Sequence, residues 1–150
     1  MMKILDLMVS TLAEALETMV FVTVIPDSEE AIVPDRPILT QMSFSGPLCG
    51  TVQILGGWDL GEIIAENMGC VDDPDEGIVL DAWKEICNVT CGLLMPQIGS
   101  SPADVFDVTV PYACVREADM WGDFANHPES HILNAEGHAV AMKIHVHEQS

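Results

Sequence analysis

The sequence predicts an α+β fold, in which an antiparallel sheet packs against two long helices. Apolar residues recur with the period of a helix in two segments, 4–19 and 76–95. Shorter runs rich in β-branched residues lie between and after these segments, and turn residues separate them. The predicted order is a helix, three strands, two helices, and two or more strands. Because short turns join neighbouring strands in this order, antiparallel pairing is expected.

Composition favours one folded domain that spans residues 1–150. Hydrophobic residues make up 49% of the chain and charged residues 19%, a balance that argues against disorder. The formal net charge of −19 disfavours nucleic acid and anionic membranes as partners. This charge fits a partner with a basic patch, and it equally fits a role in solubility alone.

The sequence also predicts a cytoplasmic protein with no membrane anchor. Its first residues lack the apolar core and the cleavage site of a secretory signal. The apolar run 19–25 is far shorter than the roughly 18 residues that a membrane-spanning helix needs. Five cysteines at irregular spacing are typical of reduced thiols in a cytoplasm.

Turn and breaker residues divide the first half of the chain into elements. The predictions are a helix over 4–19, a strand over 20–25, a loop over 27–37, and a hairpin of strands 38–44 and 48–55. Pro26 is expected to end the first strand, because proline cannot donate to a sheet ladder. The tripeptide Ser45-Gly46-Pro47 is expected to form the hairpin turn.

The second half contains two further helices and at least two strands. The predictions are a short helix over 60–68, an acidic lead-in over 72–76, a long helix ending at residue 95, and strands over 105–115 and 137–146. Pro96 is expected to stop the long helix, and Pro111 to interrupt the strand that follows. Alternating apolar residues in the last strand indicate one buried face. The polar segment 118–135 allows no clear assignment.

One stripe of the long helix carries the residues that point to chemistry. Asp81, Glu85, Asn88 and Gly92 fall within roughly 60° of arc, because each residue advances a helix by about 100°. The opposite side is apolar and is expected to be buried: Ile78, Val79, Ala82, Trp83, Ile86, Val89, Leu93 and Leu94. An acid, an amide and a glycine on the outer side favour a contact surface over an ordinary solvated face.

The spacing of these residues resembles a known signature. Asp81-x3-Glu85-x2-Asn88-x22-Pro111 is similar to the Asp/Ser-x3-Glu-x2-Asn-x22-Pro pattern of the CheC/CheX/FliY family of chemotaxis phosphatases. The single copy and the short chain look most like the CheX members. Residues 44–54 resemble the family's glycine-marked hairpin, and residues 106–111 resemble the strand after the active helix. Residues 121–136 match no part of the family pattern.

The resemblance implies a function and a role for each residue. The family removes the phosphoryl group from an aspartyl phosphate on a response-regulator receiver domain such as CheY. Asn88 would then orient the attacking water, and Glu85 would pair with a cationic group of the receiver, its lysine being the expected one.

The remaining residues of the signature have less defined roles. Asp81 would contact the receiver, or it would favour the helix dipole from the first turn. Gly92 would admit the backbone of the partner, or it would allow two helices of this chain to pack closely. Pro111 would be structural, a kink that terminates strand pairing near the site.

The resemblance also implies partners and cofactors. The protein would need no cofactor of its own, because the receiver supplies the Mg²⁺. A homodimer is expected from the family and from the last strand, whose edge-like end could pair across subunits. Two alternatives stay open: a non-catalytic docking module for a receiver or a flagellar-switch-type partner, and an acidic scaffolding domain.

Two weaker patterns complete the sequence analysis. Residues 10–19 align with residues 81–90 at an offset of 71, which would make the domain two degenerate α-β repeats with Glu17 in place of the amide. Two amphipathic helices that agree by accident would give the same alignment. Cys87 and Cys91 are spaced like half of a metal site, but they have no second pair, and no metal site is predicted.

Overall fold

The structure is a computed structural model, and it describes residues 4–25, 29–69, 72–99 and 104–147. Its helices and strands, in chain order, are α1 Ile4–Val20, β1 Val24–Ile25, β2 Pro37–Ser45, β3 Cys49–Gly57, α2 Trp58–Asn67, α3 Glu76–Ile98, β4 Asp107–Val108, β5 Tyr112–Val115, α4 Met120–Ala125, β6 Ser130–Ala135 and β7 His138–His147. Within these residues the strands form one seven-stranded sheet in which all strand pairs are antiparallel. The predicted α+β class is therefore confirmed.

The strand order has an internal symmetry. The order is β1-β6-β7-β3-β2, and β4 and β5 both pair with the free side of β2. Exchanging β1, β2 and β3 with β5, β6 and β7 gives the same order in reverse. One long helix precedes each set of strands, and α1 and α3 pack against each other. This topology supports two α-β repeats over an accidental likeness of two helices.

The main core lies between the sheet and the helices α1, α2 and α3. Its largest fully buried side chains come from both layers and include Leu12, Leu16, Ile54, Trp83 and Ile86. The opposite face of the sheet is covered at one end by α4, where Trp121 and Phe124 pack on Leu39, Leu55, Ala139 and Ala141. The unassigned segment 118–135 therefore holds a helix and an internal strand.

Trp83 sets the position of α3 on the sheet. Its side chain is fully buried, and its indole N–H donates to the carbonyl oxygen of Gly57 at 3.1 Å. A Cβ atom on Gly56 would lie 2.2 Å from the indole ring, and one on Gly61 would lie 2.7 Å from the indole nitrogen. Only glycine leaves room for the ring at these two positions. We call Gly56, Gly57 and Gly61 the glycine slot.

The ends of α3 differ in how well they were predicted. Asp75 caps the start, where its Oδ1 accepts a hydrogen bond from the backbone N–H of Ile78 at 2.9 Å. The predicted end at residue 95 is wrong, since the helix continues through Pro96 to Ile98. Proline is tolerated here because it lies in the last turn. The carbonyl group that loses its donor belongs to the exposed Gly92.

The buried face of α3 is also rotated slightly around the helix axis relative to the predicted face. Cys87, Thr90 and Cys91 are buried, whereas Val89 and Leu93 are only partly so. Thr90 can be buried because its hydroxyl donates to the carbonyl oxygen of Ile86 at 2.7 Å.

Two predictions about strands need correction. The strand expected over 20–25 is only Val24–Ile25, because α1 continues to Val20 and Phe21 then takes a left-handed φ of 59°. Pro26, expected to end it, lies outside the described residues. The last strand, β7, is not an edge, because it pairs with β3 on one side and β6 on the other. Its outer face is also partly covered, since Ala139 and Ala141 are buried under α4.

Replacing Gly56 with alanine is expected to destabilise the protein, because the new Cβ would clash with the Trp83 ring. Overpacking a filled core costs about 1–3 kcal/mol. In a chain of this size, that loss lowers the melting temperature by roughly 2–12 °C.

Thermal unfolding followed by circular dichroism measures this effect. Gly122→Ala is the matched control, because a Cβ on Gly122 meets no atom within 4 Å. An unchanged melting temperature in Gly56→Ala would contradict the glycine slot as the anchor of α3.

Candidate functional site

The predicted residues come together on the outer face of α3. Asp81, Glu85, Asn88 and Pro111 line one open depression of about 270 Å³, together with Lys84. Gly92 lies one turn further along the same exposed face. The structure therefore brings residues of the helix and of the following sheet edge to one place, as the resemblance to the family signature implies.

The orientation of this face follows from the burial of Trp83. Around the helix axis, Asp81, Glu85, Asn88 and Gly92 lie about 140–200° from Trp83, because each residue advances the helix by about 100°. Holding the indole in the glycine slot therefore points these four residues to solvent.

Glu85 and Asn88 are exposed and available for contacts. Within the described part of the chain, neither side chain takes part in a hydrogen bond or an ion pair. They are three residues apart and thus neighbours on the helix surface. An ionised carboxylate only accepts hydrogen bonds, whereas an amide both donates and accepts. Side by side, the two groups can bind a cation and orient a water molecule.

Lys84 is the residue of the depression that sequence reasoning missed. Its ammonium lies 3.7 Å from Oδ1 of Asp81, and the Lys84 side chain is 38% exposed against 76% for Asp81. The signal was present, because residues three apart on a helix meet. The alternative that Asp81 serves the helix dipole is wrong, since the helix begins at Glu76 and the dipole acts within the first turn.

Pro111 belongs to a β-bulge. Phe44 pairs with Val108 and Gln41 with Tyr112, so three steps along β2 correspond to four steps along its partner. One extra residue is therefore present between β4 and β5, where a proline without an N–H is tolerated. The predicted interruption of the strand is present, but pairing does not terminate, because it resumes at Tyr112.

Apolar side chains of the bulge are also exposed. Pro111 lines the depression, while its neighbour Val110 is 87% exposed. Val108 and Tyr112 flank it and are exposed as well. These side chains do not form one surface. Val108 pairs with Phe44 of the main core, whereas Tyr112 pairs with Gln41 on the opposite face of the sheet.

Gly92 has no packing role within the described residues. A Cβ atom built on it meets no atom within 4 Å. The alternative that Gly92 lets two helices of this chain pack closely is therefore wrong. The open space leaves room for the backbone of a partner.

The cysteine pair of α3 lies on the buried side, away from the depression. The hydrogen bond with Cys91, together with burial, raises the pKa of the Cys87 thiol well above its usual range. Cys87 therefore stays protonated and behaves as a small apolar side chain. Among the residues that the structure describes, no group of three or more His, Cys, Asp and Glu side chains could hold a metal ion. In the same residues, no helix is both long and apolar enough to cross a membrane.

Comparison with known proteins identifies the fold. No family model and no curated protein matches the sequence. Solved structures do match, over nearly the whole chain, and they are chemotaxis proteins of the CheC/CheX type. The protein thus has the CheX fold, as the signature around Asn88 implies.

Three of these structures are of CheX proteins, one of them in a complex. CheX from Desulfovibrio desulfuricans is 12% identical, with 97% of this chain and 100% of that chain covered and a TM-score of 0.69. CheX from Vibrio vulnificus is 18% identical, with 96% and 99% covered and a TM-score of 0.69. The CheX–CheY–BeF3–Mg²⁺ complex from Borrelia burgdorferi is 15% identical, with 99% and 100% covered and a TM-score of 0.66.

The burial of Cys87 and Cys91 predicts that both thiols resist alkylation in the native protein. Their modification by iodoacetamide should be slower than that of the partly exposed Cys49 and Cys114 by roughly a hundredfold or more, because opening a core region costs several kcal/mol. Mass spectrometry of the digested protein assigns each modified thiol. Equal modification rates at the four cysteines would contradict the burial of this side of α3.

Proposed function

We propose that this protein is a phosphatase that hydrolyses the aspartyl phosphate of a CheY-like receiver domain. The observation that carries the proposal is the pair of exposed side chains, Glu85 and Asn88, at one open depression in a protein with the CheX fold. Neither side chain has a partner in the part of the chain that the structure describes. The resemblance of the signature supplies the reaction, and the geometry is compatible with it.

The proposed reaction requires little chemistry from this chain. A water oxygen attacks phosphorus in line, the bond from phosphorus to the aspartyl oxygen breaks, and a water proton passes to the released phosphate or to solvent. The receiver supplies the phosphoryl group and its Mg²⁺. Asn88 would accept a hydrogen bond from the water through its carbonyl oxygen and so hold that water in line. An amide does not titrate, so this role is open at every physiological pH.

Glu85 would orient the complex. Its carboxylate is exposed and has no partner among the described residues, and it would pair with the lysine of the receiver site. Docking removes water from such a pair and makes it worth more than on an open surface. Because Glu85 lies one turn from Asn88, the pairing would also set where the amide meets the phosphoryl group.

Three observations support a protein as the substrate. The depression is open and shallow enough to receive a convex surface. Asp81 and Gly92 extend the exposed face on either side and would contact the receiver there. CheX of B. burgdorferi, which shares the fold, was crystallised with CheY, BeF3 and Mg²⁺.

We further propose that the protein is a cytoplasmic homodimer. Since β7 is internal, the second copy would pair at the β1 edge, where Phe21 and Ile25 are exposed. The opposite edge, β4 and β5, would be occupied by the docked receiver. Light scattering on Ile25→Lys tests this arrangement.

Replacing Asn88 with alanine is expected to lower the rate of phosphate release by roughly a hundredfold, because the water loses its positioning group. Binding should change little. Rates are measured with a phosphorylated receiver and Mg²⁺, and binding by calorimetry with a receiver that carries beryllium fluoride in place of the phosphoryl group. Gln97→Ala, which removes an exposed amide of the same helix outside the depression, is the matched control.

The same assays distinguish the docking module from the enzyme. Glu85→Gln should weaken binding and lower the rate together. Binding without any acceleration of phosphate release by the wild-type protein would make the chain a docking module. An unchanged rate in Asn88→Ala would contradict the role of the amide.

Replacing Gly92 with alanine is expected to stabilise the fold by up to about 1 kcal/mol, because alanine is the better helix former and the site is open. Receiver binding should weaken, since the methyl group occupies the space proposed for the partner's backbone. Chemical denaturation and calorimetry measure the two effects. A higher stability with unchanged affinity would mean that the receiver does not approach Gly92.

A further inference from the structure

Among the described residues that line the depression, Lys84 is the single cation, in a chain with 24 acidic and five basic residues. Two carboxylates, Asp81 and Glu85, lie beside it, and Asn88 is its neighbour one turn further along. Two other described bases are held elsewhere. Arg36 is bound to Glu76 and Trp58, and Lys143 lies over the Phe124 ring at 4.2 Å.

The ion pair that holds Lys84 is weak and easily exchanged. Its nitrogen–oxygen distance of 3.7 Å is long for a charge-assisted hydrogen bond, and the Asp81 side chain is mostly exposed. An exposed pair of this kind contributes little to stability, because water and salt screen it. The ammonium can therefore leave Asp81 when a better anion arrives, and its flexible four-carbon stem lets it follow that anion.

We propose that Lys84 selects the receiver domain, by exchanging Asp81 for an acidic side chain on the receiver surface beside the phosphorylation site. The inference rests on the proposed function. Lys84 and Glu85 would form a pair of opposite charges that meets a matching pair of opposite charges on the receiver. A receiver docked in the reverse sense would bring like charges together, so the pair fixes orientation as well as affinity.

The charge of the whole molecule makes this residue necessary. A net charge of −19 repels any partner with acidic groups, and the repulsion acts during approach. One cation within the depression weakens this repulsion locally, where the partner's anionic site arrives. Lys84 would thus act on encounter and binding, and it would leave the chemical step to Asn88.

The test compares Lys84→Met with Lys143→Met, which changes the net charge equally but lies on the opposite face of the sheet. Phosphate release from a phosphorylated receiver gives kcat and KM at low and at high salt. We expect Lys84→Met to raise KM roughly tenfold at low salt without changing kcat, and to flatten the salt dependence of KM. Lys143→Met should match the wild type, and Lys84→Arg should restore most of the affinity.

The outcomes separate this inference from the proposed function. If the wild-type protein accelerates release and KM is unchanged in Lys84→Met, the selection by Lys84 is overturned. A lower kcat at unchanged KM would also overturn it, because Lys84 would then act on the phosphoryl group itself. Failure of the wild-type protein on every receiver would instead refute the phosphatase. A receiver with one acidic residue changed to lysine should restore KM for Lys84→Glu.

Discussion

The candidate site depends on the packing of Trp83 in the glycine slot. A helix that lies on a sheet through apolar side chains alone can rotate or slide with small changes in energy, because apolar contacts have no direction. The indole removes that freedom, since it fits between Gly56 and Gly61 and donates to Gly57. With the largest side chain of α3 fixed on the inner side, the residues opposite it are fixed on the outer side.

The sheet supplies the second half of the site by a defect in its ladder. Regular pairing along β2 would carry the chain past the helix with alternate side chains pointing to the two faces. The extra residue between β4 and β5 breaks this alternation, so Pro111 lines the depression while Val110 is exposed. A bulge is a stable way to direct a side chain because pairing continues on both sides of it.

Local patterns in the sequence predict most of this architecture. The period of the apolar residues predicts both long helices, and the resemblance of residues 81–111 to the family signature predicts which residues meet. Contacts between distant segments could not be predicted. The order of the strands, the internal place of β7 and the cover of α4 over Ala139 and Ala141 depend on such contacts. Lys84 was missed for a different reason, since a lysine beside an aspartate on a helix is usually a solvated pair.

The different demands on core and surface residues explain how this protein shares one fold with proteins that are only 12–18% identical to it. A core requires apolar residues of suitable volume at suitable places, and many sequences meet that requirement. A surface that must bind one partner is more demanding, because each exposed charge either matches or opposes a charge of that partner. In this protein Glu85, Asn88 and Lys84 contribute little to the fold, since they lie outside the core. Changes at these three positions would therefore leave Trp83 and the sheet undisturbed.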